Sequence, residues 1–144
     1  MQERTIRSII EGQTPLTTQL GTTVRDAARQ MKKNKVGAIL VLDGLNLVGI
    51  FTERDALYRV LADGLDPKKT EISNVMTPNP TTVQPDRSFT NALEIMHVGR
   101  FRHLPVVEQG RPIGMISSLD ALGPELEQFT YAMLVAEQQR DILL

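Results

Sequence analysis

The hydrophobic and polar positions of this chain form one pattern that occurs twice. In the first half, apolar positions three or four residues apart predict helices, and short continuous apolar runs predict buried strands. The predicted elements are an extended piece at 17–18, a helix from 22 or 23 to 34, strands at 37–42 and 47–51 around a turn at 43–44, and a helix from 52 to about 63. Residues 65–80 join the halves through a polar link and a short helical turn at 72–76.

The second half predicts the same elements in the same order. They are an extended piece at 81–83, a helix at 88–98, strands at 104–107 and 112–116 around a turn at 109–110, and a helix that begins after residue 117. One such unit has too little apolar core to fold alone. We therefore expect the two units to pack sheet to sheet and to share one core.

The repeat is visible in residue identities as well as in the pattern. Gly-Ile-Phe-Thr-Glu-Arg-Asp-Ala-Leu at 49–57 returns as Gly-Met-Ile-Ser-Ser-Leu-Asp-Ala-Leu at 114–122, which is 65 residues later. The same ungapped register pairs Ser8 with Ser73, Pro15 with Pro80, Thr17 with Thr82, Gln19 with Gln84, Ala27 with Ala92, Met31 with Met96 and Val41 with Val106. Two copies are too few for a solenoid. The expected fold is α/β, with two pseudo-symmetric units at 6–63 and 73–123, a linker at 64–72 and a C-terminal helix at 124–144.

Composition removes several classes of protein. The chain has 144 residues, 16 Lys and Arg against 17 Asp and Glu, no Cys and two His. This excludes disulfides, a thiol nucleophile, a Cys-ligated metal and a multi-His metal site. The balanced charge makes nucleic acid an unexpected partner. No apolar run approaches the ~20 residues of a membrane span, and no apolar signal core follows the N-terminus, so we expect a cytoplasmic protein.

The candidate chemistry is a hydroxyl and a carboxylate three residues apart at two helix starts, Thr52 with Asp55 and Ser117 with Asp120. One interpretation is a capping box, in which the hydroxyl and the acid satisfy backbone N–H groups. The other is a binding site, because helix N-termini attract phosphate and a carboxylate accepts hydrogen bonds from ribose hydroxyls. Both interpretations stay open, and one residue pair can serve both.

The two candidate sites differ in their neighbours. Arg54 lies inside the first pair, whereas the second has Ser118 and Leu119 there. Arg102 and His103 stand where the first unit has Gly37 and Ala38, and we expect them to supply positive charge or a stacking face to the second cleft. His103 is a contact to a ligand or a dimer partner, or else a plain surface residue. Gly49 and Gly114 would let the chain pass close to a ligand.

The repeated Gly-x-x-Thr/Ser-x-x-Asp resembles the CBS domain family, whose domains occur as tandem pairs. The stretches Gly49 to Asp55, Val75 to Pro78 and Arg102 to Val107 carry the resemblance, which covers residues 6–63 and 71–122. It implies a regulatory module that binds AMP, ADP, ATP or S-adenosylmethionine, with or without magnesium, in the clefts between its units. It also implies a homodimer. The site residues it suggests are Thr17, Gly37, Ala38, Thr52, Arg54, Asp55, Thr82, Arg102, His103, Pro105, Ser117 and Asp120.

These expectations leave two functions open. The first is a non-enzymatic module that needs no cofactor and signals to a protein partner when a nucleotide binds, with the second cleft at least as close to the family's adenosyl sites as the first. The alternative is a structural or dimerisation module with no bound nucleotide. An enzyme is not expected, because no base and nucleophile stand together.

The C-terminal residues 124–141 predict an amphipathic helix. Its apolar stripe is Leu126, Phe129, Met133 and Ala136, and Pro124 suits the first turn. This helix could fold back on its own unit or pack against a second chain.

Overall fold

The computed structural model describes residues 3–143, and side chains as far as residue 140. It contains the two expected units. The first comprises β1 (Thr17–Gln19), α2 (Val24–Asn34), β2 (Ala38–Asp43), β3 (Asn46–Thr52) and α3 (Glu53–Asp55), which continues as a π-helix over Ala56–Leu61. The second comprises α4 (Phe89–Gly99), β5 (His103–Glu108) and β6 (Arg111–Ser117). Outside these lie α1 (Ile6–Ile10), a 3₁₀ turn at Ile72–Asn74, β4 (Thr77–Pro78), a 3₁₀ turn at Ser118–Asp120 and α5 (Gly123–Leu143).

Each of the two sheets contains an antiparallel hairpin, but the sheets differ in their number of strands. The first has the strand order β1-β2-β3-β4, with β1 parallel to β2 and the other pairs antiparallel. The second contains β5 and β6 alone. The extended piece expected at 81–83 is reduced to a parallel bridge from Val83 to Val106. That bridge occupies the same position as the Thr18 to Val41 pair in the first sheet.

Matching caps explain why α2 and α4 have the same length. The hydroxyls of Thr23 and Ser88 accept the N–H groups of the third helical residues, and both helices span 11 residues. Lys35 and Arg100 then adopt left-handed conformations with φ of 54° and 57° and end the helices. The expected end of α2 at residue 34 is confirmed, and the helix expected at 88–98 is found one residue later, at 89–99.

The segments that precede each unit are exchanged between the units. Ile6 and Arg7 donate backbone hydrogen bonds to Arg87 and Pro85 of the second unit, while Ile72 and Ser73 donate to Thr22 and Leu20 of the first. Ile6 and Ile72 are both fully buried in these positions. In these segments the equivalent residues are therefore 66 apart, so the expected pairing of Ser8 with Ser73 is wrong by one residue.

Each unit has its own hydrophobic core, which corrects the expected single shared core. The first is built around Phe51, Ile39 and Ile72, and the second around Phe89, Leu104 and Ile6. Because Ile72 and Ile6 come from the exchanged segments, each core is completed from outside its own repeat. A smaller cluster, with Ala38, Leu40 and Ile50 packed by Leu47 and Met115, lies where the units meet.

The last helix predicted for the second unit is absent. After the 3₁₀ turn at Ser118–Asp120, Ala121 is extended, and α5 begins afresh at Gly123. Pro124 explains the break, because it has no N–H to donate to the carbonyl of Asp120. That carbonyl instead accepts a hydrogen bond from Arg4 at 2.9 Å.

Helix α5 is long but only weakly amphipathic, contrary to the expected stripe. Leu126 is 45% exposed and Ala136 is exposed, whereas Glu125, Phe129 and Met133 are partly covered. Arg4 bonds Glu125 from Nε at 3.0 Å, which lowers the pKa of that carboxyl, and Phe129 packs on the second core. The described helices include none with the length and apolarity to cross a membrane.

Candidate functional site

A cavity of about 1060 Å³ lies between the two units and is lined by both. The first unit contributes the turn after β3 and the π-helix, and the exchanged segment contributes β4 and the residues after it. The second unit contributes the end of α4 and the start of β5. The lining residues are Ile50, Thr52, Glu53, Arg54, Asp55, Arg59, Thr77, Asn79, Pro80, Thr81, Met96, His97, Gly99, Arg100, Phe101, Arg102 and His103.

Asp55 is the buried acid of this cavity, with 7% of its surface exposed. Its carboxylate accepts the Thr52 N–H at 3.0 Å, and the Thr52 hydroxyl accepts the Asp55 N–H at 3.2 Å. The Thr77 hydroxyl donates to it at 3.4 Å, and Arg59 Nε lies 3.5 Å away. The capping box is therefore formed. A carboxylate can accept about four hydrogen bonds. Donor groups of a ligand can therefore bind Asp55 beside the existing contacts or replace the longer ones.

The cavity carries more positive than negative charge. Arg59 is held by Asp55 and by the Met76 carbonyl at 2.8 Å, and Arg54 stacks over the Tyr58 ring at 5.7 Å. Within residues 3–140, no acid forms an ion pair with Arg54, Arg100 or Arg102. These three guanidinium groups thus remain available to an anion, and two of them come from the second unit.

His103 lines the same cavity from the second unit, at the start of β5. Desolvation by burial lowers the pKa of its imidazole, and the positive charge of Arg102 acts in the same direction. Glu53 and Asp120 oppose this shift. The imidazole is therefore biased toward its neutral form until an anion approaches.

The matching turn of the second unit is not part of the cavity, because neither Ser117 nor Asp120 lines it. Asp120 accepts the Ser117 N–H at 2.8 Å, as in the first unit. The uncharged Gly37 and Ala38 occupy the positions equivalent to Arg102 and His103, and a Cβ on Gly37 would lie 3.2 Å from the Glu53 carboxylate. No arginine is thus supplied to this turn from the start of β2.

The wall that β4 forms in the first unit also has no strand as its counterpart in the second. The 66-residue register places Glu11 where β4 has Thr77, and Gly12 turns with φ of 79°. Only the Gln13 side chain, which accepts the Met115 N–H at 3.1 Å, bonds this edge of β6. An acid thus stands where the first unit has a hydroxyl.

The two glycines of the repeated motif face protein rather than ligand. A Cβ on Gly49 would lie 2.2 Å from Met76 Sδ, and one on Gly114 would lie 2.8 Å from Ile10 Cβ. The expectation that they admit a ligand is therefore corrected. The missing side chains at Gly49 and Gly114 leave room for Met76 and Ile10 of the exchanged segments.

The structure brings together five of the residues that the sequence suggested, which are Thr52, Arg54, Asp55, Arg102 and His103. The cavity lining does not include Thr17, Gly37, Ala38, Thr82, Pro105, Ser117 or Asp120. Arg102 and His103 line the cavity with the turn of the first unit, and they also lie beside Ser117 and Ser118, since His103 pairs with Ser117 and the Arg102 carbonyl accepts the Ser118 N–H at 3.1 Å. Sequence reasoning missed Arg59, Thr77, Asn79 and Arg100. The Met-Thr-Pro stretch at 76–78 drew attention to Thr77 in the sequence. Thr77 reaches the cavity, however, only because the segment before the second unit pairs with the first sheet.

Comparisons with known proteins agree with this architecture. The family model described as CBS domain matches residues 7–62 and 72–123. The CBS domain-containing protein CBSCBSPB2 of Arabidopsis thaliana is 44% identical over 115 residues, which are 79% of this chain and 21% of that protein. A CBS domain protein from Pyrobaculum aerophilum, complexed with AMP, has a TM-score of 0.79 at 23% identity and covers 89% of this chain and 99% of its own. A hexameric CBS-CP12 protein from cyanobacteria has a TM-score of 0.75 at 28% identity, over 83% and 67% of the two chains. The chain spans about a fifth of the length of the Arabidopsis relative.

Proposed function

Because this chain belongs to the CBS domain family, we propose that it is a non-enzymatic regulatory module that binds one phosphorylated adenosine ligand in the cavity between its units. The observation that carries the proposal is the meeting of Thr52 and Asp55 with unpaired arginines of the opposite unit in one cavity. Occupancy of the cavity would signal to a protein partner. No cofactor beyond the regulatory nucleotide is proposed.

The chemistry of the lining suggests how the ligand is oriented. The buried Asp55 and the half-buried Thr77 lie side by side and suit the two ribose hydroxyls, since a carboxylate is an acceptor and a hydroxyl is both donor and acceptor. Arg54, Arg100 and Arg102 suit phosphate oxygens, to which guanidinium groups donate in pairs. Ile50, Pro80 and Phe101 supply apolar surface for the base.

The excess of arginine favours ligands with several phosphates. Each added phosphate adds negative charge beside guanidinium groups that have no acid partner, so ATP and ADP should bind more tightly than AMP. S-adenosylmethionine, which carries a positive sulfonium, should bind least well. The likeness to the AMP complex supports this proposal only through the fold, since the identity is 23%.

The structural alternative has one observation in its favour. Both capping boxes are formed by groups of the protein itself, so Asp55 and Asp120 each serve the fold. A module used only for assembly would show the same bonds. The two functions differ in whether ATP binds.

Isothermal titration with ATP, ADP, AMP and S-adenosylmethionine, with and without magnesium, tests the proposal. We expect saturable binding of one ATP per chain in the order given above. Asp55→Asn should weaken ATP binding about tenfold or more, since a hydrogen bond to a charged group is worth ~1.5–3 kcal/mol. Asp120→Asn is the comparison variant, because it alters the equivalent capping turn of the second unit, which does not line the cavity, and it should weaken ATP binding much less than Asp55→Asn.

Failure of millimolar ATP to bind the folded protein would favour the structural alternative. Equal weakening by both variants would reject the placement of the site.

We also propose that the chain forms a homodimer. Exposed apolar side chains of the π-helix support this, namely Leu57 at 50%, Tyr58 at 57% and Leu61 at 72%. The hexameric neighbour gives further support from a related protein. Light scattering on the eluting protein should give twice the 16.0 kDa chain mass, whereas a monomer at high concentration would refute this.

A further inference from the structure

His97 is shared between the cavity and the C-terminal helix. It lies in the last turn of α4 and lines the cavity together with Met96, Gly99 and Arg100. The same imidazole packs edge to face against Phe129 of α5, with the ring centroids 5.6 Å apart at 76°. One side chain therefore contacts both the space for the ligand and the helix.

The hydrogen bonds and the ring contact that attach α5 to the rest of the described protein lie in its first two turns, while Met133 and Val135 further along are only partly covered. Glu125 pairs with Arg4, and Phe129 packs on the second core and on His97. Further along, Tyr131 is 71% exposed and Leu134 is 54% exposed. A helix held by few buried contacts detaches at a low cost in free energy. A small change at one contact therefore shifts the fraction of molecules in which α5 is docked.

The cavity wall next to His97 is formed by side chains that a ligand would order. His97 and Arg100 are exposed, and Arg100 has no acid partner within residues 3–140. A phosphate held by Arg100 would restrict the end of α4, including the neighbouring His97. Ordering of one side of a contact lowers the entropic cost of ordering the other side.

We infer that α5 is the output element of the nucleotide site, and that ligand in the cavity stabilises the docked position of α5 through the contact between His97 and Phe129. This inference rests on the proposed function. His97 acts here as a positioning residue. Because linkage is reciprocal, the docked α5 in turn raises the affinity of the cavity for its ligand.

Hydrogen exchange of the full chain, measured with and without saturating ATP, tests the coupling. We expect ATP to slow exchange of the amides at 126–136 about fivefold or more, the low end of usual allosteric couplings. Phe129→Leu keeps apolar volume on the core but removes the ring edge, so α5 should lose the ATP-dependent slowing and ATP affinity should fall by the same factor. Phe129→Tyr should retain both effects.

Tyr131→Leu is the matched control, because it changes an exposed aromatic residue on the same helix. It should leave the ATP-dependent slowing intact. If Phe129→Leu fails to fold, His97→Leu breaks the contact from the other side, and the exchange of α5 is compared again.

The outcomes separate this inference from the proposed function. Absence of ATP binding to the wild-type protein would overturn both. Binding of ATP with unchanged or faster exchange in α5 would overturn the inference alone, as would ATP-dependent slowing that survives both Phe129→Leu and His97→Leu.

Discussion

The turns after β3 and β6 have the same capping chemistry but different surroundings. In each, an acid three residues along accepts the N–H of the hydroxyl residue, at 3.0 Å for Asp55 and 2.8 Å for Asp120. The first turn opens on a cavity whose far wall carries Arg100, Arg102 and His103. The residues at the corresponding positions of the first unit are Lys35, Gly37 and Ala38, so only one of the three is charged, and the segment beside the second turn presents Glu11.

This difference teaches that the repeated motif specifies a local structure and not a binding site. A capping box needs only residues i and i+3, so duplication of the sequence duplicates it faithfully. A site needs residues from the other unit and from the exchanged segment, and those were free to diverge. The cavity beside Asp55 thus combines residues from both units and from an exchanged segment.

The largest expected effect comes from the exchanged segments, in which Ile6 and Ile72 occupy equivalent buried positions. Ile6→Ala and Ile72→Ala each remove a fully buried side chain, and each should lower the free energy of unfolding by ~2–5 kcal/mol. Thermal melting should fall by roughly 2–4 °C for each kcal/mol lost. The control Val98→Ala, at a side chain 81% exposed, should change little.

Hydrogen exchange would show where each loss acts. Ile6→Ala should speed exchange most in α4, and Ile72→Ala in α2, because each segment covers the core of the opposite repeat. Faster hydrogen exchange in α2 after Ile6→Ala, and in α4 after Ile72→Ala, would disprove the proposed swap of segments between the units.

The two motif glycines provide a second matched pair, with a smaller effect. Gly114→Ala places a methyl against Ile10 Cβ, which is β-branched and fixed in α1, so the cost should be ~1–3 kcal/mol. Gly49→Ala meets the end of Met76, an unbranched side chain that can rotate away. We therefore expect Gly114→Ala to melt at the lower temperature in calorimetry, and the opposite order would contradict this account of the two contacts.

The smallest expected effect concerns His103, which has no titratable counterpart in the first unit. Burial lowers its pKa, so the free protein should lose stability as the pH falls below the usual His value of ~6.5, because the unfolded chain binds the proton more readily. A bound phosphate favours the charged imidazole, so ATP affinity should rise over the same fall in pH. The gain should be about fivefold, since a unit-charge contact at 4 Å in water is worth ~1 kcal/mol.

His103→Gln should flatten both pH profiles, and titrations of the variant account for protonation of the nucleotide itself. If the variant keeps the wild-type slope of affinity against pH, the imidazole does not contact the phosphates.

Local signals explain why much of the fold could be predicted from sequence. Thr23 and Ser88 cap their helices as expected, and the turns at Gly44 and Gly110 join the expected strands. Each of these features depends on residues a few positions apart. The helix after Ser117 fails for a local reason too, since Pro124 follows four residues after Asp120.

The parts that could not be predicted depend on contacts between distant residues. An apolar Ile72 indicates burial but does not indicate which core it enters, so the exchange and its 66-residue register remain hidden. Likewise, Arg102 follows α4 of the second unit in sequence. That position does not reveal that Arg102 lines a cavity together with Thr52 of the first unit, because this depends on how the two units pack. The grouping of site residues therefore required the structure.

The exchanged segments also set the order in which the chain can fold during synthesis. The first repeat can close when residue 76 has emerged, but Ile6 and Ile10 must wait for their partners on α4 and β6, about a hundred residues later. At usual rates of translation this leaves them uncovered for roughly 5 to 20 seconds. The segment around Ile6 is thus made before either repeat and is among the last parts of them to be buried, so a chaperone that binds apolar nascent segments could hold it in the interval.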